Sequence, residues 1–437
     1  MIDILLTILF TVFFIWIIKT CRFYYFKQIS FYILAGLFVL KICSGIVLIF
    51  VYSHYYSDRL SSDIFKYFDD GNILFSALKT NPIDYFKMLT GIGSHDPQLM
   101  EYYDKMGFWI KPFDYNLYND NRTVIRFNAF VRLFSFGSIY VHNVVINFLS
   151  FSGFIAILKV FISYFSKYKY VLIFSIFLVP TTLFWSSGLL KEGILMFAFG
   201  FFFYFSIQLV EKFNYKHVIG LILMILLLGI SKFYVLVAAL PGFLTYIYLK
   251  KSSVRFIFLK FLAAHMIFFL LAVNFHYIVP KYDLLHIISS KQNDFENMIQ
   301  AAQKVGSYYS IPKLEPTILS FIKNSPTAFW NTLTRPYISE SHSIVVLISA
   351  IENLFILLSI IIFFVFLRKT HLKNPIIFLL ISLVLIQFVL YGLTTPVIGA
   401  LVRYKMPALP FLFVLLMFIT DLDKISTYFV QLKRKIL

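Results

Sequence analysis

Eleven stretches of this chain are apolar for long enough to cross the ~30 Å hydrocarbon core of a bilayer, which takes roughly 17–25 helical residues. They lie near 2–19, 31–52, 138–163, 169–188, 190–210, 217–231, 233–249, 256–279, 343–367, 375–391 and 399–420, of which the pair 217–231 and 233–249 is short for two separate crossings. Only 14% of the 437 residues are charged and 60% are hydrophobic, against roughly 25% charged in a soluble domain. That composition excludes a soluble enzyme and a disordered chain. Two cysteines, Cys21 and Cys43, lie in or beside apolar runs and make no disulfide framework. The expected fold is all-α: a polytopic transmembrane bundle of about eleven helices, forming one integral membrane domain over residues 1–437.

The formal charge of +18 comes from 39 basic and 21 acidic residues. In a soluble protein this excess would suggest nucleic acid; here the positive-inside rule accounts for it, and no nucleic-acid partner is expected. With the N-terminus outside, one set of loops carries seventeen basic residues, among them Lys19, Arg22, Lys27, Lys167, Lys169, Lys250, Lys251 and Arg255. The short turns on the other side hold only Lys191, Lys232, Arg403 and Lys405. The first span lacks a basic leader and a small-residue cleavage site, so it reads as a retained helix. The C-terminus then falls in the cytoplasm. Abundant Phe, Ile, Lys and Asn is typical of AT-rich bacterial genomes, so the expected location is a bacterial cytoplasmic (inner) membrane.

Two long segments fall on the outer side, 53–137 and 280–342, holding 10 and 5 of the acidic residues. Both exceed ordinary helix connections of about 2–8 residues and are rich in aromatics, so short interfacial helices are expected there. In 65–78, apolar residues at Phe65, Phe68, Ile73, Phe75 and Leu78 suit such a helix, interrupted near Gly71.

The first outer segment contains S-S-D-I-F-K-Y-F-D-D-G at 61–71, with Asp63, Asp69 and Asp70 close together. On a helix, Asp63, Tyr67 and Asp70 share one face. A partly buried carboxylate there suits a general base; a solvated loop turning at Asp70-Gly71 is the plainer alternative. F-W-S-S-G-L-L-K-E-G at 184–193 places Lys191 and Glu192 beside strongly apolar sequence, where ionisable groups are costly. Glu192 is a candidate counter-ion for Lys191 or another outer cation; alternatively Lys191 snorkels and Glu192 helps start a helix. Arg403 and Lys405 break the positive-inside trend and suit a phosphate ligand or an interfacial anchor. With Lys232 and Arg335 they are outer cations able to surround an anionic head group. Lys41, in mid-helix, is expected to face the interior and meet a carboxylate or carbonyl, and Glu352-Asn353 is a similar case.

No P-loop, dinucleotide fingerprint, metal-ligand spacing or nucleophile elbow occurs. The arrangement resembles the GT-C superfamily of polytopic membrane glycosyltransferases, which includes protein mannosyltransferases and aminoarabinose transferases. The resemblance rests on the acidic motif of Asp63, Tyr67, Asp69 and Asp70 after a membrane helix, the outer turn over 180–192, and the basic segment Arg403-Tyr404-Lys405-Met406-Pro407 followed by Pro410. It spans roughly 31–420 in topology and only these segments in motif. The chain departs from the family in its extra helix at 2–19 and in lacking a clean D-x-D or D-E pair. That leaves open which carboxylate is the base and whether a divalent cation such as Mg or Mn takes part.

The resemblance implies a polyprenyl-phosphate-linked sugar donor, a glycan, lipid or protein acceptor, and transfer on the extracytoplasmic face. The catalytic candidates are Asp63, Asp69 and Asp70; the substrate-binding candidates are Tyr67, Lys191, Glu192, Lys232, Arg335, Arg403 and Lys405. An O-antigen or capsule repeat-unit polymerase, or a transporter or flippase for a lipid-linked glycan, are the competing readings.

Overall fold

The structure, a computed structural model, describes residues 2–55, 59, 62–111, 118–301, 307–341, 343–368 and 373–436. The described residues are predominantly helical, and among them only two isolated β-bridges form, Tyr308 with Val397 and Leu367 with Thr420. It divides into two compact units, Met1–Phe177 with Leu183–Leu236, and Leu178–Thr182 with Val237–Leu437.

The helices of the first part of the chain are α1 Ile2–Thr20, α2 Phe31–Tyr55, α3 Asp63–Thr80, α4 Pro82–Thr90, α5 Met100–Tyr103, α6 Asn121–Ser135, α7 Ile139–Phe161, α8 Lys169–Ile173, α9 Pro180–Trp185, α10 Lys191–Glu211 and α11 Tyr215–Lys251. Those that follow are α12 Ile257–Val273, α13 Leu284–Ala301, α14 Ile318–Thr334, α15 Ile344–Val365, α16 Pro375–Thr394, α17 Ile398–Lys405, α18 Leu409–Ile419 and α19 Leu422–Ile436.

Nine helical segments among the described residues are long and apolar enough to cross a membrane. Two differences from the sequence reading have local causes. The stretch 169–188 is not one rod: α8 passes into a π-helical turn, Phe174–Leu178, before α9 opens at Pro180. Proline has no N–H for the preceding turn and its ring crowds that turn's carbonyl, so the ladder is broken there. The pair 217–231 and 233–249 forms the single element α11, whose 37 residues span about 55 Å if straight, more than one hydrocarbon core. It breaks at Lys232, whose backbone is extended (φ −151°, ψ 71°).

In the first unit, α7 and α10 form the tightest seam. A Cβ on Gly153 would stand 2.0 Å from the Met196 carbonyl oxygen, and one on Gly200 would stand 2.1 Å from that of Gly153. Without a hydrophobic drive between helices in lipid, such backbone approach supplies the packing. By contrast α1 is exposed along Leu5, Leu9, Val12, Phe13 and Trp16, as a lipid-facing helix is.

The segment 53–137 carries helices α3 to α6, packed around Tyr85, Met88, Leu99, Trp109, Ile125 and Ala129. Gly71 does not interrupt α3. The helix runs on through it, and the missing Cβ admits α6: an added one would lie 2.6 Å from Asn128 Cβ and 3.1 Å from Ala129 N. In the second unit, α14 and α16 are joined by Thr332, whose hydroxyl donates to the Phe388 carbonyl at 2.8 Å. Gln292 on α13 donates to the Leu393 carbonyl and accepts from Leu314 N.

Replacing Gly153 or Gly200 with Leu forces α7 and α10 apart, so we expect loss of the monodisperse species in detergent. Gly36→Leu, where nothing lies within 4 Å of the added Cβ, leaves it intact. Fluorescence-detected size exclusion of the three variants measures this; equal behaviour would refute the seam.

Candidate functional site

Helix α3 opens on Asp63 and holds Asp63, Tyr67 and Asp70 on one face, because i, i+4 and i+7 recur on one side of a helix. Asp70 is buried and accepts from the backbone N–H groups of Gly107 and Phe108, both at 2.8 Å. Burial pushes its carboxyl up from the usual range, and the two N–H bonds pull the other way. Asp70 therefore fastens the segment around Trp109 to α3. Tyr67, also buried, donates its hydroxyl to Asn121 Oδ1 at 3.1 Å. Asp69 lies off this face and is gripped by Arg59 through Nε and Nη2, both at 2.8 Å. The three carboxylates read together in the sequence thus occupy three different settings.

The segment pinned by Asp70 leads to the densest charge in the unit. Asn119 donates its amide to the Phe108 and Trp109 carbonyls, and Arg122 Nε donates to the same Trp109 oxygen. These bonds bring Lys111 against Asp120. Asp120 Oδ1 takes Lys111 Nζ and Lys191 Nζ, each at 2.7 Å, and its Oδ2 lies 3.7 Å from Lys232 Nζ. Three lysine side chains thus converge on one carboxylate. Burial opposes ionisation of Asp120, but Lys191, Lys232 and Lys111 together outweigh it and hold the carboxyl far below the usual carboxylate range. It is a permanent anion at any working pH.

Each lysine is delivered by a separate device. Lys191 starts α10 after the turn Ser186-Ser187-Gly188, which is held from inside the bundle. Lys41, buried in mid-α2, donates to Ser186 Oγ at 2.7 Å, Ser187 Oγ at 3.1 Å and the Ser186 carbonyl at 3.4 Å. Asn147 donates to the Ser187 carbonyl at 2.8 Å. The carbonyl partner expected for Lys41 is thus found, with two hydroxyls beside it. Lys232 stands at the break in α11, and Thr123 donates to the Ile230 carbonyl at 2.6 Å, tying that break to α6. Lys191 also lies over the Tyr67 ring, 5.9 Å from its centre. Asp63, one turn from Tyr67, or about 5.4 Å along the axis, is on the same side of α3.

The remaining candidates fall elsewhere. Glu192 is buried in the first turn of α10; the carboxylate that meets Lys191 is Asp120. Arg335, Arg403 and Lys405 belong to the second unit. Lys405 is fully buried and points inward, donating to Asn353 Oδ1 at 2.6 Å and to the Arg335 and Thr332 carbonyls at 3.3 and 3.4 Å. Asn353 in turn donates to the Thr334 and Pro336 carbonyls. Lys405 therefore clasps the end of α14. Arg335 pairs with Glu340 and lies over the Tyr309 ring at 4.5 Å. Arg403 is half-buried on α17, two positions from Lys405, so the two do not share a face. Glu352 accepts from Thr181 N at 2.6 Å.

Asp120, Lys111 and Asn121 were not singled out from sequence. Two buried lysines, Lys191 and Lys232, imply a counter-ion, but its place far back along the chain is a matter of packing. Among the described residues no group of three or more His, Cys, Asp or Glu gathers as a metal site. Compared with protein families, curated proteins and solved structures, the chain matches none.

Two outcomes follow. Asp120→Asn leaves three ammonium groups facing one another and costs on the order of 3 kcal/mol. A depressed carboxyl pKa stabilises the fold above the unfolded value of about 4 and loses that share only as pH falls toward the folded value. In thermal melts the deficit of Asp120→Asn is therefore present at pH 5, where the native carboxyl is still ionised and the lysines facing it are charged; a melting temperature equal to the parent protein's at that pH would refute the ion cluster. Lys41→Met strands Ser186 and Ser187 and lowers melting temperature, whereas Lys105→Met, on an exposed turn, does not.

Proposed function

We propose that the protein is a membrane glycosyltransferase that moves a sugar from a polyprenyl-phosphate carrier to an acceptor on the extracytoplasmic side. The observation that carries this reading is the convergence of Lys111, Lys191 and Lys232 on Asp120, built where apolar helices α10 and α11 start or break. A phosphate at the end of a lipid tail matches it: the head meets ammonium groups and the tail meets hydrocarbon. In this reading the chain crosses a bacterial inner membrane eleven times, with α11 counted as two crossings and α8 with α9 as one. The N-terminus is outside and the C-terminus cytoplasmic.

Of the three candidate carboxylates, Asp70 serves the backbone of Gly107 and Phe108, and Asp69 serves Arg59. Asp63, on the Tyr67 side of α3, is assigned as general base. It takes the proton of an acceptor hydroxyl as that oxygen attacks the anomeric carbon. The bond from that carbon to the phosphate oxygen breaks, and the carrier leaves as a phosphate with one more negative charge. The lysines stabilise that growing charge more than the starting diester, which is the condition for catalysis rather than mere binding. Direct displacement inverts the anomeric centre.

The test separates the two roles. In nanodiscs, binding of a short-chain polyprenyl monophosphate falls about tenfold in Lys191→Gln or Lys232→Gln and is unchanged in Asp63→Asn. With a polyprenyl-phosphate hexose donor in proteoliposomes, Asp63→Asn lowers turnover by about 10²–10⁴-fold. Full turnover in Asp63→Asn, or polyprenyl phosphate binding that ignores both lysines, would overturn the reading.

A further inference from the structure

A second cationic feature lies in the first unit, at the other ends of its helices. A cavity of about 500 Å³ is enclosed by the last turn of α1, the loop to α2, the first turn of α2 and the start of α8. That volume is within the range of small-ligand sites. Lys19, Lys27 and Lys169 line it, and Lys169 Nζ is aimed across it to the Gln28 carbonyl at 2.7 Å. The first turn of α2 brings the positive end of a 25-residue helix to the same place.

Among the described residues these cations have no carboxylate partner. No Asp or Glu occurs between Asp3 and Asp58, or between Asp120 and Glu192, and these two stretches supply every lining residue. Lysines placed only by the positive-inside rule need no cavity; here they surround one. Below it runs α1, with exposed Val12, Phe13 and Trp16.

We infer that this cavity holds the head group of an acidic phospholipid, its phosphodiester among Lys19, Lys27 and Lys169 and its acyl chains along α1. The absence of any acidic residue in the lining selects against zwitterionic lipids, whose ammonium group would find no partner. The apolar wall of α1 selects a lipid over a soluble phosphate. This site is independent of the sugar-transfer reading and of the orientation of the chain, since a nanodisc presents the same lipids on both faces.

Native mass spectrometry of the full chain, released from discs of mixed phosphatidylglycerol and phosphatidylcholine, counts retained lipids. We expect selective retention of phosphatidylglycerol, lowered about fivefold for each of Lys27→Gln and Lys169→Gln. Lys27→Arg retains it. The control Lys250→Gln/Lys251→Gln removes two exposed basic residues from the end of α11 and leaves retention unchanged. An equal loss in that control means general surface charge and overturns the site. Displacement of phosphatidylglycerol by millimolar inorganic phosphate overturns the lipid assignment, as does equal retention of phosphatidylcholine. Melting temperatures in phosphatidylcholine discs establish that the variants are folded.

Discussion

A carboxylate shared by three lysines organises the first unit. Asp120 cannot be buried as a lone anion, and Lys191 and Lys232 cannot be buried as lone cations. Their mutual requirement joins the start of α10, the break in α11 and the segment that leads into α6. The packing thereby gathers three lysines from separate segments at one defined position, which is the geometry the proposed phosphate site rests on.

Around this centre, polar groups inside apolar helices act as fasteners for the turns between helices. Lys41 and Asn147 secure the Ser186–Gly188 turn from within the bundle. Lys405 and Asn353 do the same for the end of α14 in the second unit. In hydrocarbon an exposed carbonyl has no water to turn to, so a buried ammonium or amide that meets several of them stabilises an irregular connection that would otherwise be prohibitive. A buried lysine in such a protein is consequently ambiguous by residue type alone. Lys405 and Lys191 look alike in sequence, yet one grips backbone and the other belongs to an ion cluster.

Asp70 and Gly71 carry the same ambiguity. Together they have the composition of a turn, and the chain uses both for packing within an unbroken helix. Asp70 holds the N–H groups of Gly107 and Phe108, and Gly71 opens α3 to the backbone of α6. Local propensity was overridden because a neighbouring helix supplied contacts that a turn would forfeit.

The amino-acid order alone determined that the chain is a helical membrane protein, where most of its crossings lie, and which residues are out of place there. Hydrophobic length and the scarcity of charge are local properties, and the bilayer reads them locally. It also marked the Asp63–Tyr67–Asp70 face, since helical periodicity is local too. Only the tertiary structure decided that Asp120 answers Lys191, that Lys111 joins them, and that Lys232 marks a break rather than a loop. Counter-ions are chosen by proximity in space, and proximity between distant segments is set by packed glycine seams and buried hydrogen bonds that leave no periodic trace along the chain.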